Sequence, residues 1–305
     1  MSKTLKLQTL TPESRNQIQE YASRRQIRTC EGHFLCHYMW ADYYHNRYLY
    51  NEDFLAMISF SPSGNHYAMM PLCTLEILPA AFHTLEEYFW CQWKEPLKMC
   101  LVDEPGKDAL LKDRDILASY KCEEDRDNFD YIYDAEKLRT LSGKKYHKKK
   151  NHVNQFLKHF DGRYCYRELH NADRDDIMAL YHKWAASHQS IDKYNCQAYE
   201  ETGILKLLEQ EKLLSFQMAG IYIDGVLEAF TLGSKNTLND CAFIHVEKAN
   251  TEIPGLYPFI NREFLCHAFP DVSYVNREDD LGQEGLRKSK LSYHPVLLAK
   301  KFYFT

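Results

Sequence analysis

The chain has 305 residues, of which 45% are hydrophobic and 27% charged, with a formal net charge of −5. That apolar content suffices for a buried core, which excludes wholesale disorder, and 12 glycines exclude collagen-like and low-complexity classes. At roughly 100–200 residues per domain, the length allows about two domains.

The opening MSKTLKLQTL has no continuous apolar stretch of signal-peptide type. FLAMI (54–58) is about as continuous as the apolar runs become, far short of the ~18 residues of a membrane span. The 10 cysteines are scattered through apolar contexts without a CxxC pair, which predicts reduced, buried thiols. Together these features predict a cytoplasmic protein with no integral membrane segment. Aromatics reach 14%, with 22 tyrosines, as expected of packed layers with amphipathic positions.

Charge is unevenly distributed. Residues 1–142 carry a net −6 and residues 143–305 a net +1. The acidic EEDRDNFD (123–130) precedes the basic GKKYHKKKNHVNQFLKHF (143–160), whose six lysines face no acid. This switch predicts a boundary between a first domain at 1–142 and a second at 143–305.

In chain order, Thr11-Pro12 is a helix start, a capping hydroxyl followed by proline in the first turn. GHFLCHYMWADYYH (32–45) reads as a helix with an aromatic face. RYLYNEDFLAMISFS and NHYAMMPLC read as two strands joined by the turn formers SPSGN (61–65). A long helix follows around LEILPAAFHTLEEYFWCQW, interrupted or entered at Pro79. The strand LKMCLVDE and one helix, GKDALLKDRDILASY, come next.

From 143 a helix carries Tyr146, Val153 and Phe160 on one stripe, with lysines 144, 145, 148, 149 and 150 around its first turns. RYCYREL is a strand, followed by helices near 173–188 and 197–211. FQMAGIYIDGVLEAFTLGS is a hairpin around Asp224-Gly225. CAFIHVEKAN is a third strand, and TEIPGLYPFINREFLCHAF a loop feeding a helix. VSYVN is a strand, EGLRKSKLSY a helix, and PVLLAKKFYF one final strand. This order predicts an α+β fold with a mainly antiparallel sheet. The first half has a weaker version of the same rhythm, without repeats at the residue level.

Three segments carry candidate chemistry. In AFIHVEKANTEIPGLYPFINREF (242–264) a strand ends in His245, Glu247 and Lys248, and Pro254-Gly255 then turns into a helix start suited to an anion. An ordinary strand-to-helix connection looks the same. In VNREDDLGQEGLRKSKLSYHP (275–295), Arg277, Glu278, Asp279, Asp280 and Glu284 cluster at a strand end, which also suits a solvated loop. The lysine helix suits polyphosphate, RNA or an anionic surface, or simply a solvated face. Cys30, His33, Cys36 and His37 match no zinc spacing, and no metal is expected. No GxSxG, P-loop or GxGxxG is present.

The basic helix, HVEKANTEIPGLYPFINREF and YVNREDDLGQEGLRKSKLSYHP together resemble a bacterial family related to the carboxyl-terminal catalytic domain of phosphatidylglycerol lysyltransferases. More distantly they resemble Fem-type aminoacyltransferases. The resemblance implies tandem GNAT-like (acyl-CoA N-acyltransferase) domains, each a mixed, mainly antiparallel sheet flanked by helices, the first copy degenerate. It places a donor-binding loop at Ile253, Pro254, Gly255, Leu256 and Tyr257, with Val246, Lys248 and Asn261 beside it. The loop departs from the Arg/Gln-x-x-Gly-x-Gly/Ala pattern of coenzyme A binding, having one glycine. The transmembrane flippase domain of full lysyltransferases is absent from the resemblance, so no lipid acceptor carries over.

The implied activity is acyl transfer from acyl-CoA to an amine or hydroxyl of a small molecule or peptide by direct attack, without a covalent intermediate. Aminoacyl-tRNA is the alternative donor, favoured by the lysine helix, and a non-catalytic ligand-binding GNAT-like protein is the other alternative. Glu247 is the first choice of general base, with Glu278 or Asp280 in reserve. By the resemblance, Tyr293 protonates the leaving group. Backbone amides at 254–257 hold donor phosphates, screened by Lys144, Lys148 or Arg287.

Overall fold

The computed structural model describes residues 5–60, 64–188, 196–236, 238 and 240–305. Contacts divide the chain into two compact units: Met1–Asp130 with Asp279–Gln283 and Leu298–Thr305, and Tyr131–Glu278 with Glu284–Leu297. The units thus part at 130/131 rather than at 142/143, and the last eight residues belong to the first unit.

Along the chain run β1 (Gln8–Thr9), α1 (Arg15–Ala22), α2 (Phe34–Met39), β2 (Arg47–Tyr50), β3 (Leu55–Phe60), β4 (His66–Met69), α3 (Leu78–Trp93), β5 (Met99–Asp103), α4 (Glu104–Leu110), α5 (Arg114–Ser119) and β6 (Cys122–Glu124). There follow β7 (Asp130–Asp134), α6 (Ala135–Thr140), α7 (His147–His159), β8 (Tyr164–Glu168), α8 (Arg174–His188), α9 (Cys196–Glu209), β9 (Gln217–Ile223), β10 (Val226–Asn236), β11 (Cys241–Ala249), α10 (Leu256–His267), β12 (Tyr274–Asn276), α11 (Glu284–Leu291), β13 (Leu297–Ala299) and β14 (Lys301–Phe304).

The first sheet has strand order β1-β2-β3-β4-β5-β14-β6. Its opening strands pair antiparallel, whereas β4 and β5 pair parallel through Ala68↔Met99 and Met69↔Cys100. A parallel pair needs a crossover, which α3 supplies, entered at Pro79 in its first turn. Ile58, Ala68, Met99, Val102 and Phe304 from the sheet bury against Phe82, Leu85 and Phe89 of α3.

The second sheet has the order β13-β7-β12-β11-β10-β9-β8. Its plan repeats that of the first: β8 to β11 pair antiparallel, and α10 crosses to the parallel strand β12. Asp224 and Gly225 both take positive φ, 49° and 84°, as the tight turn of the β9–β10 hairpin requires. The buried Phe156 of α7 lies 4.5 Å from Phe259 of α10, centroid to centroid.

Several expectations change. RYLYNEDFLAMISFS is two strands, β2 and β3, because the Asn51 side chain accepts from Asp53 and Phe54 N–H and turns the chain between them. The helix expected at 32–45 spans only Phe34–Met39. GKDALLKDRDILASY splits into α4 and α5 where Asp113 caps a new start by accepting from Asp115 and Ile116 N–H. PVLLAKKFYF is two strands in different sheets, β13 and β14. The acidic stretch, read only as a boundary, supplies the end of β6 and leads into β7. Of the turn at 61–65, residues 61–63 lie outside the described residues.

Candidate active site in the second unit

β11 is nine residues long, yet only Cys241, Ala242 and Phe243 pair with β12. From Ile244 onward β11 has no partner on that side among the described residues. Neighbouring side chains of β11 point to opposite faces. Lys248 pairs with Glu200 at 2.9 Å and sits 3.8 Å over the Trp184 ring. Val246, its other even-numbered neighbour, is buried opposite Leu232.

Glu247 points the other way. Its Oε1 lies 2.8 Å from Arg277 Nη2, and its Oε2 accepts from Asn261 Nδ2 at 2.8 Å. Arg277 follows β12 directly. Its backbone N–H donates to Tyr131 O, its carbonyl accepts from Lys290 Nζ at 2.6 Å, and Lys290 O accepts from Tyr133 Oη. β7, β12 and α11 therefore fix the arginine's position. Its guanidinium carbon is 4.8 Å from the Tyr293 ring centroid. Among the described residues, its Nη1 is buried with no hydrogen-bond partner.

Tyr293 is buried, and its carbonyl accepts from Tyr146 Oη at 3.0 Å. Burial raises its phenol pKa well above 10, which keeps it a proton donor at neutral pH. Over its ring, 3.9 Å from the centroid, sits Lys149 Nζ. Burial, then the Arg277 charge, push the Lys149 pKa down to about 8. Tyr257, whose Oη accepts from Trp184 Nε1 at 2.9 Å, is pushed up to about 12 by burial.

The structure thus brings Glu247, Tyr293 and Asn261 together with Arg277 and Lys149. In the sequence alone, Arg277 is only part of an acidic cluster and Lys149 only one lysine of a basic run. Yet Lys149 stands three residues after Tyr146 and four before Val153, on the buried stripe, and this spacing marks it as inward-facing.

The reserve carboxylates lie elsewhere. Glu278 Oε1 is 2.7 Å from His245 Nδ1, and His245 Nε2 is 2.7 Å from Ser234 Oγ. This has the order of a hydrolase triad, but Ser234 is 1% exposed, so no substrate reaches its hydroxyl. Asp280 belongs to the first unit, fully buried and 3.2 Å from Arg126 Nη1.

The 253–257 loop is partly committed to its own turn. Pro254 has no N–H, and Leu256 N–H donates to Ile253 O. Gly255 takes φ +85°, and a Cβ there would come within 2.2 Å of His152 O of α7. Lys144 and Lys148 are exposed along with Lys145 and Lys150, and Arg287 is half-buried on α11.

In the first unit, His33 Nδ1 accepts from Leu35 N–H and the His37 ring bonds Glu31 O. Beside them Lys301 Nζ lies 3.5 Å from Cys30 Sγ, 2.7 Å from Glu31 and 2.8 Å from Asp130. An ammonium thus already sits among those acidic groups.

No helix among the described residues is long and apolar enough to cross a membrane. Over 99% of both chains, the structure is similar to a conserved protein of unknown function from Bacteroides thetaiotaomicron, with 28% identity and a TM-score of 0.88. L-PGS from Bacillus licheniformis matches with a TM-score of 0.66 and 12% identity over 97% of this chain and 92% of that one. A tandem GNAT protein from the clavulanic acid biosynthesis pathway matches with a TM-score of 0.51 and 11% identity, over 99% and 98% of the two chains. The fold is accordingly a tandem GNAT-like α+β fold. A curated relative, uncharacterized protein MYCGA3080 of Mycoplasmoides gallisepticum, is 24% identical over 172 residues, 56% of this chain and 54% of that protein. The chain thus spans about half the length of that relative. The family described as "Phosphatidylglycerol lysyltransferase, C-terminal" matches residues 23–305, and the chain belongs to it.

Proposed function

We propose that this chain is an aminoacyltransferase that moves an aminoacyl group from aminoacyl-tRNA to a hydroxyl or amine of a small molecule or peptide by direct attack. The observation that carries this reading is on α7 and the turn before it. Four exposed lysines (144, 145, 148 and 150) surround Lys149, which faces the Glu247–Arg277–Tyr293 cluster. Exposed lysines suit a polyanionic donor held by its backbone, and an adjoining buried cluster suits its reactive end. Membership in a lysyltransferase family supports the reading and makes lysyl-tRNA the first donor to test.

Acyl-CoA is the second reading, favoured by the GNAT-like fold and the unpaired edge of β11 beyond Phe243. Against it, Pro254 offers no N–H and Leu256 spends its own within the turn.

The deciding experiment offers the purified protein labelled lysyl-tRNA and acetyl-CoA in parallel with a panel of hydroxyl and amine acceptors. Transfer from the tRNA ester supports the proposal. tRNA binding should also weaken with salt, with a slope that falls by roughly 0.7–0.9 per lysine when Lys144, Lys145, Lys148 and Lys150 become glutamine. Transfer from the thioester alone, with micromolar coenzyme A binding of about −8 kcal/mol by calorimetry, overturns the donor.

A further inference from the structure

Lys149 is the one lysine of the 144–150 array that the fold turns inward. Its Nζ rests against the Tyr293 ring, and no carboxylate pairs with it among the described residues. The charged and titratable groups that face it are Glu247 from β11, Arg277 behind β12, Tyr293 behind α11 and Lys148 from its own helix. Two cations therefore stand against one carboxylate, whose other oxygen is already held by Asn261. Burial first, and this imbalance after it, favour the free amine at Lys149, in line with its pKa of about 8. Beside the Tyr293 phenol, with which the guanidinium interacts, Arg277 Nη1 is a buried N–H donor with no hydrogen bond of normal geometry among the described residues, and such a donor is costly unless a ligand completes it.

We propose that Lys149, as the free amine, takes the proton of the attacking acceptor, while Arg277 Nη1 receives the oxygen of the transferring carbonyl as it becomes an oxyanion. The assignment rests on the acyl-transfer reading and holds for either donor. The acceptor O–H or N–H gives its proton to Lys149 Nζ as the new bond to the carbonyl carbon forms. The bond from that carbon to the leaving oxygen or sulfur breaks, and the leaving atom takes the Tyr293 phenol proton. Lys149, now an ammonium against the Tyr293 ring, returns a proton to the phenolate, so the protein ends as it began. Glu247 is then a positioning residue, holding Arg277 by Nη2 and leaving Nη1 free.

Two measurements test this. Trace acetylation with acetic anhydride across pH, read peptide by peptide in a mass spectrometer, follows each lysine's titration without any activity. Lys149 should titrate near pH 8, well below the ~10.4 of a lysine side chain in a model peptide. Lys149 titrating at that model-peptide value overturns the assignment. In transfer assays, Lys149→Gln should lower kcat by roughly 10²–10⁴ with donor KM little changed, and should lose the rise in rate through pH 8. Wild-type kcat with an unchanged pH profile overturns it as well. Wild-type protein that transfers nothing from either donor defeats the acyl-transfer reading and this role together, whereas a Lys149 titration at the model-peptide value defeats the role alone.

Discussion

Glu247 and Arg277 are 30 residues apart in sequence, yet their side chains meet at 2.8 Å, both about nine-tenths buried. Removing one partner of a buried ion pair strands the other's charge in a poor solvent. Glu247→Gln should therefore destabilise the protein by about 3 kcal/mol in urea denaturation. Glu247 is also the carboxylate that favours the Lys149 ammonium, so its loss should move the Lys149 titration below about 8. Were Glu247 itself the base, turnover would instead fall by roughly two to four orders of magnitude with the Lys149 titration unrelated to the rate.

That pair also marks where sequence reading stops. The hairpin at Asp224-Gly225, the strand at 241–249 and the helix after Pro254-Gly255 were legible because each rests on local turn chemistry and periodicity. The lysine helix was legible for the same reason. The meeting of Glu247 with Arg277 depends on β12 lying parallel to β11, a long-range pairing that no local spacing encodes. Likewise, nothing local separates β13 from β14. The division follows from Lys301, fully buried beside Glu31 and Asp130, which are 270 and 171 residues away in sequence.

Gly255 tests how closely α7 must approach the start of α10. Alanine there meets two penalties: a left-handed φ of +85° and a Cβ within 2.2 Å of the His152 carbonyl oxygen. Because the obstacle is backbone, α7 has to move, and it carries Lys149. Gly255→Ala should cost at least about 1–3 kcal/mol of stability and lower kcat, both read on the same preparation. Gly255→Ala with wild-type stability would show that the two helices have room to separate.

His37 gives the first unit a pH dependence. It is buried against Glu31 O, and burial lowers its pKa from 6.5 to about 4. The unfolded chain then binds a proton at higher pH than the folded one. Stability is accordingly complete above 6.5 and is lost as pH falls toward 4, by roughly 3 kcal/mol for this group. Urea denaturation at pH 7 and pH 4.5 checks this by difference. His37→Gln should lose clearly less stability between the two pH values than the wild type. Equal losses would mean that His37 is not the group being protonated.

Lys301 supplies the opposite case, a buried cation that folding keeps charged. Burial works against its ammonium, but Asp130, Cys30 and Glu31 outweigh that penalty and raise its pKa well above 10.5. Its stabilising contribution is therefore complete below the unfolded value of ~10.4 and fades only as pH rises through the higher folded one. Lys301→Met leaves Asp130 and Glu31 buried without a cation and should cost about 3–5 kcal/mol at pH 7. The deficit should shrink as pH falls, because the stranded carboxylates then take up protons. Adding Asp130→Asn and Glu31→Gln to Lys301→Met removes the uncompensated charges and should restore most of the loss, since a neutral cluster of similar volume carries no desolvation penalty for ions. Denaturation midpoints of the single and triple variants across pH 5–8 decide the matter. A single variant as stable as wild type at pH 7 would mean that the ion cluster does not hold β14 in the first sheet.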